Sequence, residues 1–328
     1  MFMPVDENNA VDQIPSKKII FTGLDNSGKS SILLALQRSL ANLATLAPTK
    51  MVERTTFNYM GYTISSHDLG GQRKYLITYL KQPGKYFTET AVLIYVIDYQ
   101  DAIRYDESLS YFKDVLDQFQ SLEMVPLIFV FFHKTEPILV AGDQGDDIEL
   151  EGSGMHRIKQ LETKIDEINA SRFTIEYRLT TIFDPWSITS AFSDIMLKLY
   201  PRSILLDKAL EEFAASNTLD SLLLLDSNAL NLGTYYSSKD AEKIIRSSTP
   251  YFLTLLDSWK PLNSSNDPKL MKVTLNEYAF FFREIRQQLQ EDQDKYLSFY
   301  FLAMTRSAEF ETERLDEFSK IILGILKQ

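Results

Sequence analysis

The chain has 328 residues, 45% of them hydrophobic, enough to bury a large core and to form two domains. With 34 basic and 45 acidic side chains its formal net charge is -11, which argues against nucleic acid as a partner and leaves little attraction for an anionic membrane surface. Cysteine is absent, which excludes disulfides, thiolate metal sites and palmitoylation and fits a cytoplasmic protein; no apolar run approaches the ~20 residues of a membrane span.

The chain opens Met1-Phe2 and closes Ile325-Leu326-Lys327-Gln328, so neither myristoylation nor prenylation is expected. Residues 1–16, with Pro4, Asp6, Glu7, Asn8, Asn9 and Pro15, read as a flexible tail. An apolar run from Lys17 then leads into Gly23-Leu24-Asp25-Asn26-Ser27-Gly28-Lys29-Ser30-Ser31, and a helical pattern follows over 32–38. This is the phosphate-loop pattern G-x-x-x-x-G-K-[ST], in the strand–loop–helix setting that its chemistry needs. Gly23 and Gly28 let the backbone curl so that its N–H groups surround a polyphosphate, and the helix adds the positive end of its dipole. Lys29 would reach the terminal phosphates and the Ser30 hydroxyl a magnesium ion.

Further on, apolar strands alternate with helical patterns. Tyr62–His67, Ala91–Ile97, Leu127–Phe132 and Phe173–Leu179 read as strands. Tyr105–Gln120 reads as a helix carrying Leu109, Phe112, Val115, Leu116 and Phe119 on one face, and Ala191–Tyr200 as another, stopped by Pro201. An irregular segment rich in Gly, Asp and Glu, Ile138–Met155, reads as a solvated acidic insertion. The alternation predicts an α/β domain over 17–202 with a doubly wound, mainly parallel sheet and its ligand at the strand C-terminal ends. Past Pro201 the pattern becomes helix (Ser203–Ala215), hairpin (Leu219–Leu225 and Leu230–Tyr236), helix (Lys239–Trp259), two aromatic strands (Glu277–Ile285 and Tyr296–Met304) and a closing helix from Ala308. That order predicts a smaller α+β domain with an antiparallel sheet over 203–328. Its aromatic surplus, with Tyr251, Phe252, Phe280–Phe282, Phe299–Phe301 and Phe310, supplies either a pairing surface or an aromatic core.

At the end of the strand Tyr62–His67 stands His67-Asp68-Leu69-Gly70-Gly71-Gln72. In D-x-x-G-Q the carboxylate of Asp68 contacts magnesium through water, the N–H of Gly71 approaches the terminal phosphate, and Gln72 can orient an attacking water.

GLDNSGKSS followed by DLGGQ resembles the Ras-like GTPases, and within them the branch that holds the Arf and Rag/Gtr families. The Arf-like pattern places Pro-Thr ahead of D-x-G-G-Q at the separation seen for Pro48-Thr49, which makes Thr49 the candidate magnesium ligand of the first switch loop. His133-Lys134 closes a buried strand and resembles the H-K-x-D of Rag/Gtr proteins. The fourth position is Glu136 in place of the usual aspartate that accepts from the guanine ring, so guanine selectivity hangs on a longer carboxylate. Thr180-Thr181-Ile182-Phe183-Asp184 resembles the Rag-type T-S-I-x-D; it implies that the Ile182 N–H faces the guanine O6, beside Thr181. Leu93–Asp98 also looks like the corresponding Rag segment.

The resemblance implies Mg2+ and GTP/GDP as ligands, and a C-terminal domain of the roadblock/longin-like type. It further implies a homo- or heterodimer through that domain, with activating and exchange proteins as partners and membrane contact only through them. Hydrolysis would use Gln72 and Lys29 as its catalytic residues. It should be slow, because Ala47 and Pro48 precede Thr49 where a built-in arginine would stand, and Asp25 places a negative charge near the γ-phosphate. An Arf-like trafficking GTPase or a nucleotide-bound structural subunit are the alternatives.

Overall fold

The computed structural model describes residues 17–36, 49–59, 62–136, 138, 154–200, 203–226, 229–259, 270–289, 292–307 and 310–327. The expected tail, Pro48 and most of the acidic insertion lie outside these residues. Contacts divide the chain into two compact units, one of Met1–Ser30 with Leu46–Arg178 and one of Ser31–Thr45 with Leu179–Gln328.

The first unit is built on a six-stranded sheet of order β2-β3-β1-β4-β5-β6. Its strands are β1 (Lys17–Thr22), β2 (Val52–Tyr59), β3 (Tyr62–Leu69), β4 (Thr90–Asp98), β5 (Leu127–His133) and β6 (Ile175–Thr180). Only the β2–β3 hairpin is antiparallel among the registered pairs; β1 runs parallel to β3 and β4, and β4 to β5. The continuous apolar runs of β4 and β5 are explained by burial on both faces. Helices α1 (Lys29–Leu36), α2 (Arg73–Lys81), the short α3 (Pro83–Tyr86), α4 (Tyr105–Ser121) and α5 (Gly154–Asn169) connect the strands. The apolar stripe of α4 is buried as its period predicts. Because β1 lies between β3 and β4, the chain leaves its C-terminal end at the point where the strand order reverses. An open α/β sheet forms its ligand crevice there.

The second unit holds an antiparallel sheet of order β8-β7-β11-β10-β9, with β7 (Ser221–Leu225), β8 (Asn231–Tyr236), β9 (Leu270–Leu275), β10 (Tyr278–Leu289) and β11 (Asp292–Thr305). Its helices are α6 (Pro185–Leu199), α7 (Ser203–Ser216), α8 (Lys239–Trp259) and α9 (Glu313–Lys327). α6 begins at Pro185, ahead of the expected Ala191. Proline suits the first helical position, and Asp184 Oδ1 caps it by accepting from the Trp186 N–H at 3.1 Å. Strand β9 was not anticipated: most of LMKVTL is exposed, so the apolar periodicity that marks a half-buried strand is missing.

The aromatic surplus is core. On one face Phe252 stacks on Phe282 at 6.0 Å; on the other Phe318 stacks on Phe213 at 4.1 Å and on Phe301 at 5.5 Å. Phe281 points opposite to Phe280 and Phe282 and meets Phe310 edge-on at 5.1 Å, as strand alternation requires. Each fully buried ring contributes on the order of 1.5–3 kcal/mol. Of the residues that could have formed a pairing surface, Tyr251 is the exposed one.

Candidate functional site

β1 delivers the chain into the phosphate loop at Gly23, whose φ is +140°. A Cβ there would sit 2.3 Å from the carbonyl oxygen of Val96 on β4, so the neighbouring strand excludes any side chain. Asn26 and Gly28 also take positive φ, and a Cβ on Gly28 would sit 2.3 Å from Cδ2 of His133. The loop therefore closes into a tight nest, with α1 beginning at Lys29 and Ser31 in its first turn. Lys29 is buried and its Nζ donates to the carbonyls of Gly23 (3.0 Å) and Leu24 (2.7 Å) and to Ser27 Oγ (3.3 Å). These acceptors are all neutral, so among the described residues the ammonium has no salt-bridge partner. Burial pushes its pKa down to about 8, partly opposed by the charges of Asp68 and Asp25. A buried cation at the mouth of a ring of amides is suited to a polyphosphate.

Three oxygen-bearing side chains converge next to it. Ser30 Oγ lies 2.5 Å from Asp68 Oδ2 and 2.8 Å from Thr49 Oγ1, and Thr49 Oγ1 donates to Asp68 Oδ2 at 3.1 Å. Asp68 is held by register, opposite Phe21 of β1 at the end of β3. Thr49 is brought close by glycine: a Cβ on Gly70 would meet the Thr49 carbonyl at 2.5 Å, while the Gly70 N–H donates to Met51 O at 2.7 Å. The other Asp68 oxygen, Oδ1, is buried and has no hydrogen-bond partner. A buried carboxylate oxygen left unpaired is costly, and a hard cation with all-oxygen ligands would satisfy it. Ser30, Thr49 and Asp68 thus fit Mg2+.

The glycine pair after Asp68 rests on the phosphate loop. The Asp25 N–H donates to Gly71 O at 3.0 Å, and a Cβ on Gly71 would collide with Asp25 N at 2.2 Å. Gln72 follows as the N-cap of α2, half-buried, with no side-chain capping bond. Arg104, which the sequence analysis did not single out, reaches the loop from just ahead of α4. Its Nη2 donates to Asp25 Oδ1 at 2.7 Å and its Nε to Glu107 Oε2 at 2.9 Å. Its position in the chain does not reveal this contact, because 79 residues separate Arg104 from Asp25.

The end of β5 supplies the remaining wall. His133 is buried, and burial with the adjacent Lys134 charge pushes its pKa down to about 4, so the imidazole packing on Gly28 is neutral. Lys134 takes φ +63°, and its Nζ donates to Asn26 O (2.8 Å) and Asp98 Oδ2 (2.6 Å). Gln100 Nε2 donates to the Lys134 carbonyl (3.0 Å) and to Glu136 Oε2 (2.7 Å), fixing the longer carboxylate. Gln100 is a second residue that spacing did not reveal. In the other unit, Thr181 and Ile182 form the turn between β6 and α6. The Thr181 N–H donates to Ser187 Oγ at 3.0 Å, and Phe183 is 80% exposed.

Comparison with known proteins matches residues 18–249 to the Gtr1/RagA G protein conserved region. The chain is 34% identical over 131 residues to ADP-ribosylation factor-like protein 3 of Chlamydomonas reinhardtii, covering 40% of this chain and 68% of that one. It is 24% identical over 323 residues to GTP-binding protein gtr2 of Schizosaccharomyces pombe, covering 92% and 94% respectively. Among solved structures, the Arl6 BBS3 small GTPase from Trypanosoma brucei, with the nucleotide analogue GppNp bound, matches with a TM-score of 0.41 and 16% identity over 56% of this chain and 97% of that one.

Proposed function

The chain belongs to the Gtr1/RagA G protein family, on the Arf-related branch of small GTPases, and from that premise we propose that it is a slow, magnesium-dependent GTP/GDP switch that signals as a dimer. Its GTP-binding character follows from the family. The observation that carries the finer reading is the Asp25–Gly71 hydrogen bond at 3.0 Å. It seats the second switch segment on the phosphate loop, where a γ-phosphate would compete for the same N–H.

In this reading the loop amides from Gly23 to Ser30 and the Lys29 ammonium bind the phosphates and stabilise charge that develops on them. Ser30 and Thr49, with Asp68 through water, would hold Mg2+, which when bound would neutralise charge on the terminal phosphates. Gln72 orients the attacking water. Lys134, Glu136 and Gln100 flank the base, with His133 as the floor. Ala47 and Pro48, not an arginine, stand directly before Thr49, and Arg104 is engaged by two carboxylates, so intrinsic turnover should fall below about 10⁻² s⁻¹ without an activating protein.

Single-turnover hydrolysis with Gln72→Leu beside wild type tests this. The variant should be about 10- to 100-fold slower, the scale of losing one positioned water. Equal rates would instead support the structural-subunit reading, in which nucleotide is bound and hardly turned over.

Pairing is assigned to the antiparallel sheet over 203–328, in keeping with a roadblock/longin-like role. Strand β9 is an edge of that sheet and exposes Leu270, Val273 and Leu275, an apolar edge of the sort that takes a strand from a second chain. Light scattering at micromolar concentration should give twice the chain mass of 37.8 kDa, or a heterodimer when a related chain is co-expressed. Val273→Lys should shift either toward monomer; a monomer under both conditions counts against pairing.

A further inference from the structure

Asp25 sets an electrostatic problem. A loop built from amides and a lysine to attract phosphate carries a carboxylate of its own, at the residue whose N–H meets Gly71. Left to itself, that carboxylate would repel the most negative part of a triphosphate.

Arg104 answers it. Glu107 fixes the guanidinium by accepting from Nε at 2.9 Å. This leaves Nη2 aimed at Asp25 Oδ1 at 2.7 Å and Nη1 at the Asp25 carbonyl oxygen at 3.4 Å. The pair is not buried, with side chains 33% and 47% exposed, and an ion pair of that kind contributes little to stability. Its charges nevertheless reach the phosphate site: Asp25 raises the proton affinity of Lys29, and Arg104 lowers it. Asp98, another acid at this site, is committed elsewhere: it accepts from Lys134 Nζ and from the Gln100 N–H.

We infer that Arg104 is a positioning residue that draws the Asp25 carboxylate aside and offsets its charge, so that the loop accepts the additional phosphate of GTP over GDP. The inference rests on the phosphate loop being the GTP site. The carboxylate and the guanidinium act as one unit, which makes their effects non-additive.

The test is titration of the full chain with fluorescent GTP and GDP analogues in Mg2+, for wild type, Arg104→Ala, Asp25→Asn and the double variant. Arg104→Ala should lose about 10-fold in GTP affinity relative to GDP, on the scale of one partly screened charge. In the double variant the ratio should return to within about 2-fold of Asp25→Asn alone. GDP binding reports whether each variant is folded. An unchanged GTP/GDP ratio in Arg104→Ala, with GDP still bound, overturns the inference alone, as does a loss that Asp25→Asn does not repair. A wild-type chain that binds neither nucleotide overturns the site reading and this inference together.

Discussion

Lys29→Ala is expected to lower GTP affinity by at least about 100-fold, the scale of losing charge-assisted hydrogen bonds to phosphate in a desolvated site. The same change should leave the ligand-free fold as stable as before, or more so. The ammonium is buried against neutral acceptors and its pKa is already pushed down to about 8, so the fold bears a desolvation cost that alanine removes. The pH dependence has opposite signs for folding and binding. Between about pH 8 and the ordinary lysine value of 10.5 the unfolded chain holds more protons than the ligand-free fold, so its stability rises with pH. Phosphate prefers the ammonium, so GTP affinity falls over the same window. Urea melts and nucleotide titrations from pH 7 to 10 read both; parallel trends would contradict this account of Lys29.

Asp68→Ala should abolish the magnesium dependence of GTP binding. In the wild type, chelating Mg2+ is expected to weaken GTP by about 100-fold, because the metal offsets phosphate charge that Lys29 alone cannot. In the variant, affinity should already sit at the chelated level and stay there when Mg2+ is restored. The unpaired Oδ1 is the reason for choosing this residue: Ser30 and Thr49 both bond to Oδ2. Asp68→Asn keeps the shape and both acceptor bonds while removing the charge, so it separates metal binding from local packing. Magnesium dependence surviving in both variants would move the metal away from Asp68.

The features legible in the sequence were those whose chemistry is local. The strand–loop–helix at Lys17–Leu36 and the Asp68–Gln72 turn each fit within one short segment with fixed residue types, and β4, β5 and α4 declare themselves by apolar runs or by period. Features that depend on distant packing stayed hidden. β2 (VERTTFNY) alternates too weakly to mark a strand and becomes one by pairing with β3 from Val52 to Tyr59. β9 has little buried face of its own. The fate of the aromatic residues could not be decided from composition, since a ring bound for the core and one bound for a partner look alike until the stacking of Phe213, Phe301 and Phe318 is seen. Arg104 and Gln100 were unreadable for the same reason: nothing in RYDE or DYQD announces that these side chains meet the phosphate loop and the Lys134 turn.

Gly28 and Asn26 carry a consequence beyond the shape of the loop. His133 presses on the space that a Gly28 side chain would fill, and Lys134 grips the Asn26 carbonyl at 2.8 Å. The segment proposed to read the base is therefore also a scaffold for the segment proposed to grip the phosphates, and the two share a wall. On that proposal, a purine that fits badly should disturb the very residues that keep the loop wound, carrying its misfit to the phosphate end. Discrimination between nucleotides in such an arrangement is a property of the joint, and neither subsite can be retuned without the other.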